Sequence, residues 1–165
     1  MIDTFSSILG GVSNALTKDA LSKILRPLVD RFSSQATSTA GLVISTTTTT
    51  SKIGAVAFAG VANGVPVAIA AGTDMPALTG LNITAGSYNV FCYFIDSASV
   101  VTVKMGIEGT TLAKVKFPQF PEGKALVGYL VVTYASAFTG GTTVLSTATT
   151  VYVSPVGAID PTYVL

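Results

Sequence analysis

The side chains able to do covalent or acid–base chemistry are few in this sequence and stand far apart. There is no histidine and one cysteine, Cys92. A serine–histidine–acid relay is therefore impossible, no His/Cys zinc set can assemble, and no disulfide can close within the chain. Cys92 lies in the apolar run Val90-Phe91-Cys92-Tyr93-Phe94. There a thiol acts as a small hydrophobe, because a nucleophilic thiolate needs a base or an electropositive setting. Beyond residue 41 the acidic residues are Asp74, Asp96, Glu108, Glu122 and Asp160, none close to another in sequence. A glycosidase pair needs two carboxylates facing each other across a cleft. Four of these five fall in turn-like stretches, where carboxylates are solvated. A Ser–Lys dyad has no Ser-x-x-Lys motif to start from. No catalytic, cofactor-binding or metal-binding residue is expected, and no cofactor.

Other motifs have plain structural readings. Gly106-Ile107-Glu108-Gly109 and Gly140-Gly141-Thr142-Thr143 lack the strand–glycine loop–helix setting that cradles phosphate, and read as tight turns. Asn82-Ile83-Thr84 matches a glycosylation tripeptide, but no secretory signal is recognisable and the match reads as coincidence. Lys104, Lys114 and Lys116 fall on two successive expected strands, with Lys114 and Lys116 on one face. They suit a solvated or edge-protecting face better than an acidic partner.

The elements that would hold these residues divide the chain in three. Residues 1–33 carry an amphipathic helical stripe: Phe5, Ile8, Leu9, Val12 and Leu16, then Leu21, Ile24, Leu25, Leu28, Val29 and Phe32, at three- and four-residue spacing. Gly10-Gly11 weakens the first part, Thr17 or Asp19 can cap a second helix, and Pro27 is expected to kink or restart it. Residues 34–41, small and polar, read as a linker. Residues 42–165 form the β domain. Thr46 to Thr50 suit an extended strand as well as a spacer. Period-two strands are expected at 53–59, 65–70, 87–96, 99–105, 111–116, 125–134 and 142–153, separated by turns such as Asn63-Gly64 and Pro121-Glu122-Gly123. The fold class is mainly β, an antiparallel sandwich or barrel with an N-terminal amphipathic helical segment. From Ala125 to Val132 both faces are apolar, so this strand should be buried on both sides. Strict alternation would place Ala125, Val127, Tyr129 and Val131 together, opposite Leu126, Gly128, Leu130 and Val132.

Composition narrows the function classes. Of 165 residues, 49 % are hydrophobic and only 10 % charged, against roughly 25 % charged in an ordinary soluble domain. Such a surface points to cover by other subunits. The net charge is +1 with no basic cluster, which argues against a nucleic-acid partner. The weakly polar stretch 53–71 is broken by Asn63-Gly64 and Pro66 and reads as a hairpin, not a membrane span.

The stretch Phe117-Pro118-Gln119-Phe120-Pro121-Glu122-Gly123-Lys124-Ala125-Leu126-Val127-Gly128-Tyr129-Leu130-Val131-Val132, with Ala137-Phe138-Thr139-Gly140-Gly141-Thr142-Thr143-Val144-Leu145, resembles segments of tailed-bacteriophage virion proteins of the capsid-decoration (cement) and head-fibre kind. The resemblance covers about thirty residues specifically, and 42–153 more loosely. It implies a virion location and a homo-oligomer, with a trimer favoured. It also implies a partner in the major capsid protein or another virion protein, with tail, neck or head-fibre positions as alternatives. The expected interface is Phe5, Ile8, Leu9, Val12, Leu16, Leu21, Ile24, Leu25, Leu28 and Phe32. A carbohydrate- or receptor-binding β module is the alternative of another class; the absence of tryptophan weighs against it.

Overall fold

A computed structural model describes residues 18–159. Among the described residues one α-helix, α1 (Lys18–Ser33), precedes eleven strands: β1 (Gln35–Ala36), β2 (Val43–Ile44), β3 (Ser51–Lys52), β4 (Phe58–Ala62), β5 (Val65–Ile69), β6 (Asn82–Ile83), β7 (Tyr88–Ile95), β8 (Val101–Met105), β9 (Ala125–Thr133), β10 (Phe138–Thr139) and β11 (Thr149–Val153). All pairings between these strands are antiparallel. The main sheet runs β11-β9-β7-β8, a second runs β1-β4-β5, and β2-β3 and β10-β6 form two-stranded ribbons. Among the described residues no sheet closes on itself, so the barrel alternative falls away.

The two longest strands, β7 and β9, lie at the centre of the main sheet and are buried on both faces. Strictly alternating faces do not survive, because the register slips at one point. Tyr93 faces Gly128 while Phe94 faces Leu126, leaving Val127 without a partner across the ladder. One extra residue reverses the parity of everything after it. Ala125, Val127, Leu130 and Val132 consequently share one layer with Phe91, Tyr93 and Ile95. Leu126 and Tyr129 share the other with Val90, Cys92 and Phe94, with Val131 packed against it. Tyr129 and Val131 thus lie opposite Val127, not beside it as simple alternation requires.

The first layer is the larger core. β1 and β4 lie against β9, contributing Ala36, Phe58 and Ala62, while Leu78, Phe138 and Leu145 close the rest. Phe138 meets Phe91 with ring centroids 5.8 Å apart. The second layer is closed by a strap rather than by a sheet. Phe117 stands edge-on to Tyr129 at 5.0 Å, and Phe120 edge-on to Phe94 at 5.1 Å, a favoured aromatic geometry. Pro118 and Pro121 hold this strap extended.

Local chemistry explains where the elements start and stop. Asn63 and Gly64 have φ of 50° and 76°, the two positive values a tight hairpin between right-twisted strands requires. The threonine run forms the turn between β2 and β3, closed by the Ser45 N–H donating to the Thr50 carbonyl at 2.9 Å. Residues 111–116, expected as a strand, hold a 3-10 turn at Leu112–Lys114 instead. The chain doubles back so that Ile107 and Lys116 exchange backbone hydrogen bonds, and Lys114 and Lys116 therefore share no strand face. The strand expected at 53–59 is displaced to Phe58–Ala62, overlapping only at 58–59, and the one expected at 142–153 shrinks to Thr149–Val153. Residues 34–41, read as a linker, are laid against the second sheet, where the Thr37 and Ser38 N–H groups both donate to the Ala59 carbonyl. Ala36 and Ala40 are buried. Small side chains that suit a linker equally suit close apposition of backbones. α1 continues through Pro27, at the loss of one intrahelical hydrogen bond.

Candidate assembly interface

Each described carboxylate of the β domain has a partner of its own. Asp74 accepts from the Ser45 hydroxyl. Asp96 accepts from the Ala98 and Val100 N–H groups of its own turn and pairs with Lys124 at 3.3 Å. These contacts, the Val100 N–H first, hold its carboxyl below the usual range. Glu108 accepts from the Thr84 N–H and hydroxyl, which lower its pKa in the same way. Glu122 stands 3.9 Å from Arg26. Asp160 lies outside the described residues. Among the described residues no group of three or more potential metal ligands forms.

The groups with upward-shifted titration are core groups. Cys92 is fully buried, and burial pushes its thiol up, away from the thiolate a nucleophile needs. Tyr93 is likewise fully buried; loss of water raises its hydroxyl to about 12, against smaller opposing effects from the Ser51 and Thr50 hydroxyls. Its oxygen has no hydrogen bond of good geometry among the described residues.

The feature that sets this surface apart is how α1 is mounted. Asp30 and the helix's C-terminal end contact the chain's own β body. The Asp30 carboxylate accepts the Gly123 N–H at 2.8 Å, and the Ser33 carbonyl accepts the Gly64 N–H at 2.8 Å. Just past the helix, the Ser34 hydroxyl oxygen accepts the Asn63 N–H at 3.0 Å. Arg26 and Glu122 add a solvated ion pair of little energetic weight. Two turns, Asn63-Gly64 and Glu122-Gly123, thus hold the helix. Leu21, Leu25, Val29 and Phe32 are exposed, at 44, 43, 62 and 65 %, as are Ser22, Lys23 and Arg26. Leu25 and Val29 border a shallow crevice whose other wall holds Asn63 and Glu122.

Of the residues expected to form the interface, Leu21, Leu25 and Phe32 therefore come together on one exposed face, and Val29 joins them. Phe5, Ile8, Leu9, Val12 and Leu16 lie outside the described residues. Ile24 and Leu28 belong to α1, but their side chains are outside the description. The sequence periodicity locates the stripe; its outward direction depends on contacts with residues some ninety positions away, which no local pattern encodes.

Beside α1 the strap borders a groove of about 670 Å³, walled by Phe117, Phe120, Leu126 and Ile159, with Asp30 and Lys124 at its polar end. Sequence reading missed this groove. The paired Phe-Pro steps at 117–118 and 120–121 were its available signal.

Comparison with protein-family models, with curated proteins and with solved structures gives no match. No helix among the described residues is long and apolar enough to cross a membrane.

Proposed function

We propose that this chain is a non-enzymatic structural component of a bacteriophage virion, of the capsid-decoration (cement) kind, with a two-layered β-sandwich body and α1 as its docking element. The carrying observation is the exposure of four large apolar side chains of α1, Leu21, Leu25, Val29 and Phe32, while Asp30 and the helix's C-terminal end contact the body. Exposed apolar side chains of this size on one helix suit burial by another subunit. The low charge of the chain fits a surface partly covered in an assembly. The segment that resembles virion proteins contributes both the strap and the doubly buried strand β9. The partner in this reading is the major capsid protein or another virion protein, and stabilisation comes from area buried between neighbours.

The test is co-sedimentation of the purified protein with capsids, with and without residues 1–33. Loss of association on deletion is the expected result; undiminished binding would sink the docking role. The carbohydrate-binding reading draws less support, because Phe32 alone among the described aromatic residues is exposed, and it stands on the helix rather than in a cleft.

A further inference from the structure

We propose that the outer edge of β8 pairs with the same edge of a second copy of this chain, antiparallel about a two-fold axis at Val103, joining two main sheets into one; this goes beyond the docking role of α1 and does not depend on it. β8 closes the main sheet on one side. The bonds at its two ends set which way its backbone groups point. The Asp96 N–H donates to the Val100 carbonyl and the Gly106 N–H to the Val90 carbonyl, both in line with the β7–β8 register. Bonded pairs recur at every second residue of an antiparallel ladder, so Thr102 and Lys104 also turn their backbone groups to β7. Val101, Val103 and Met105 turn theirs outward, where among the described residues these groups have no hydrogen-bond partner.

The free stretch has definite limits. Past Met105 the outward side is taken, because Ile107 exchanges backbone hydrogen bonds with Lys116. Before Val101 the chain turns back into β7, closed by the Ser99 N–H donating to the Asp96 carbonyl. What remains admits a strand of five residues, β8's own length. Two other outer strands are defended against pairing. Pro66 stands in β5, and Ser154, just past β11, is bound by the Thr39 hydroxyl and the Leu42 N–H. β8 contains no proline and no bulge.

One register satisfies every free group. With Val103 opposite Val103 of the second copy, Val101 meets Met105 and Met105 meets Val101, and each pair exchanges both of its bonds. The side chains agree. Val101, Val103 and Met105 are half-buried against the larger core layer, and in the pair each covers an apolar neighbour from the other copy. Lys104 is exposed on the opposite face and meets Thr102 of the second copy. A shift of two residues one way would set Lys104 against Lys104, which repels; the other way it would leave Met105 outside the ladder. Val100 and Ile107, both well exposed, add apolar surface at the two ends. The ladder is about 17 Å long, so its contact is small beside the roughly 800 Å² per partner of a standard stable interface. Association through it should therefore depend on protein concentration.

The experiment is sedimentation equilibrium on the full chain and on Val103→Pro across a dilution series, with amide hydrogen exchange of the parent at both ends of that series. Val103→Pro deletes a donor that the chain itself does not use, a position where an edge strand accepts proline; thermal unfolding checks that the body is intact. The expected result is two chain masses for the parent at high concentration and one for Val103→Pro, a twofold drop. On concentration the amides of Val101, Val103 and Met105 should slow about tenfold or more, while those of Thr102 and Lys104 are slow throughout. This alternation is read on the parent and decides the matter even if Val103→Pro does not fold. A parent that stays monomeric or forms a three-copy mass, a folded variant that keeps the parent's mass, or outward amides that exchange alike at both concentrations each overturn the proposal. Outward amides already slow in the dilute monomer overturn it too, and give the edge to residues of the same chain outside the described ones.

Discussion

Removal of one oxygen atom from the core tests the energetics of the central sheet. Tyr93 lies in the larger layer, fully buried between β8 and β9. Its hydroxyl titrates at about 12 rather than 10.0 because burial disfavours the phenolate. The sign follows from linkage. The folded-state pKa is above the unfolded one, so the neutral hydroxyl's contribution to stability is fully present below pH 10. It is lost as the pH rises through 12, since the unfolded chain releases this proton first. At about 1.4 kcal/mol per pH unit, a displacement of this size is worth about 3 kcal/mol. Tyr93→Phe abolishes that dependence. At neutral pH the change should shift stability by about 1 kcal/mol or less, because the hydroxyl lacks a well-formed hydrogen bond to lose. The assay is urea unfolding of both proteins at intervals from pH 8 to 12. Taking the difference between the two curves cancels lysine titration and the other tyrosines, including Tyr129 and Tyr152, whose hydroxyls burial also raises. The curves should coincide in slope up to pH 9 and diverge by about 2 kcal/mol by pH 12, the remainder being lost only above the folded-state pKa. Parallel curves over the whole range would refute the reasoning.

Two other perturbations probe the bulged strand and the helix mount. A Cβ added at Gly128 would stand 2.6 Å from Leu42 Cδ1 and 2.7 Å from the Val153 carbonyl oxygen. The leucine tip can move but the paired strand's backbone cannot, so Gly128→Ala should cost ~1–3 kcal/mol; an unchanged or raised Tm contradicts this. Asp30→Ala removes the acceptor for the Gly123 N–H and should speed hydrogen exchange at Gly123 and along α1, while global stability falls by only about 1 kcal/mol. Unaltered exchange at these amides means that the contact does not hold the helix.

The sequence made the class of structure readable, and particular residues show where reading stopped. The change of hydrophobic period after residue 41 announces strands, and Asn63-Gly64 announces its hairpin, because both signals are local. The doubly apolar run from Ala125 to Val132 announces burial on two sides. Its bulge at Val127 does not show, since an extra residue on a strand is defined only by the partner that fails to match it. The segment at 34–41 misleads for a related reason: Ala36 and Ala40 are small, and smallness alone does not distinguish a free linker from a tightly apposed strand. For the candidate site the stripe was legible, through Leu21, Leu25 and Phe32. Its direction was not, because Asp30 and Ser33 find their partners in turns far along the chain.

That distance also sets an order of events during synthesis. Asp30 and Gly123 are 93 residues apart. At 5–20 residues per second the ribosome needs roughly 5–20 s to bridge that gap. For that interval α1 has been made but one of the turns that grips it has not. The other, Asn63-Gly64, arrives after only a third of the wait, so the helix is first tethered at its end and later clamped along its length.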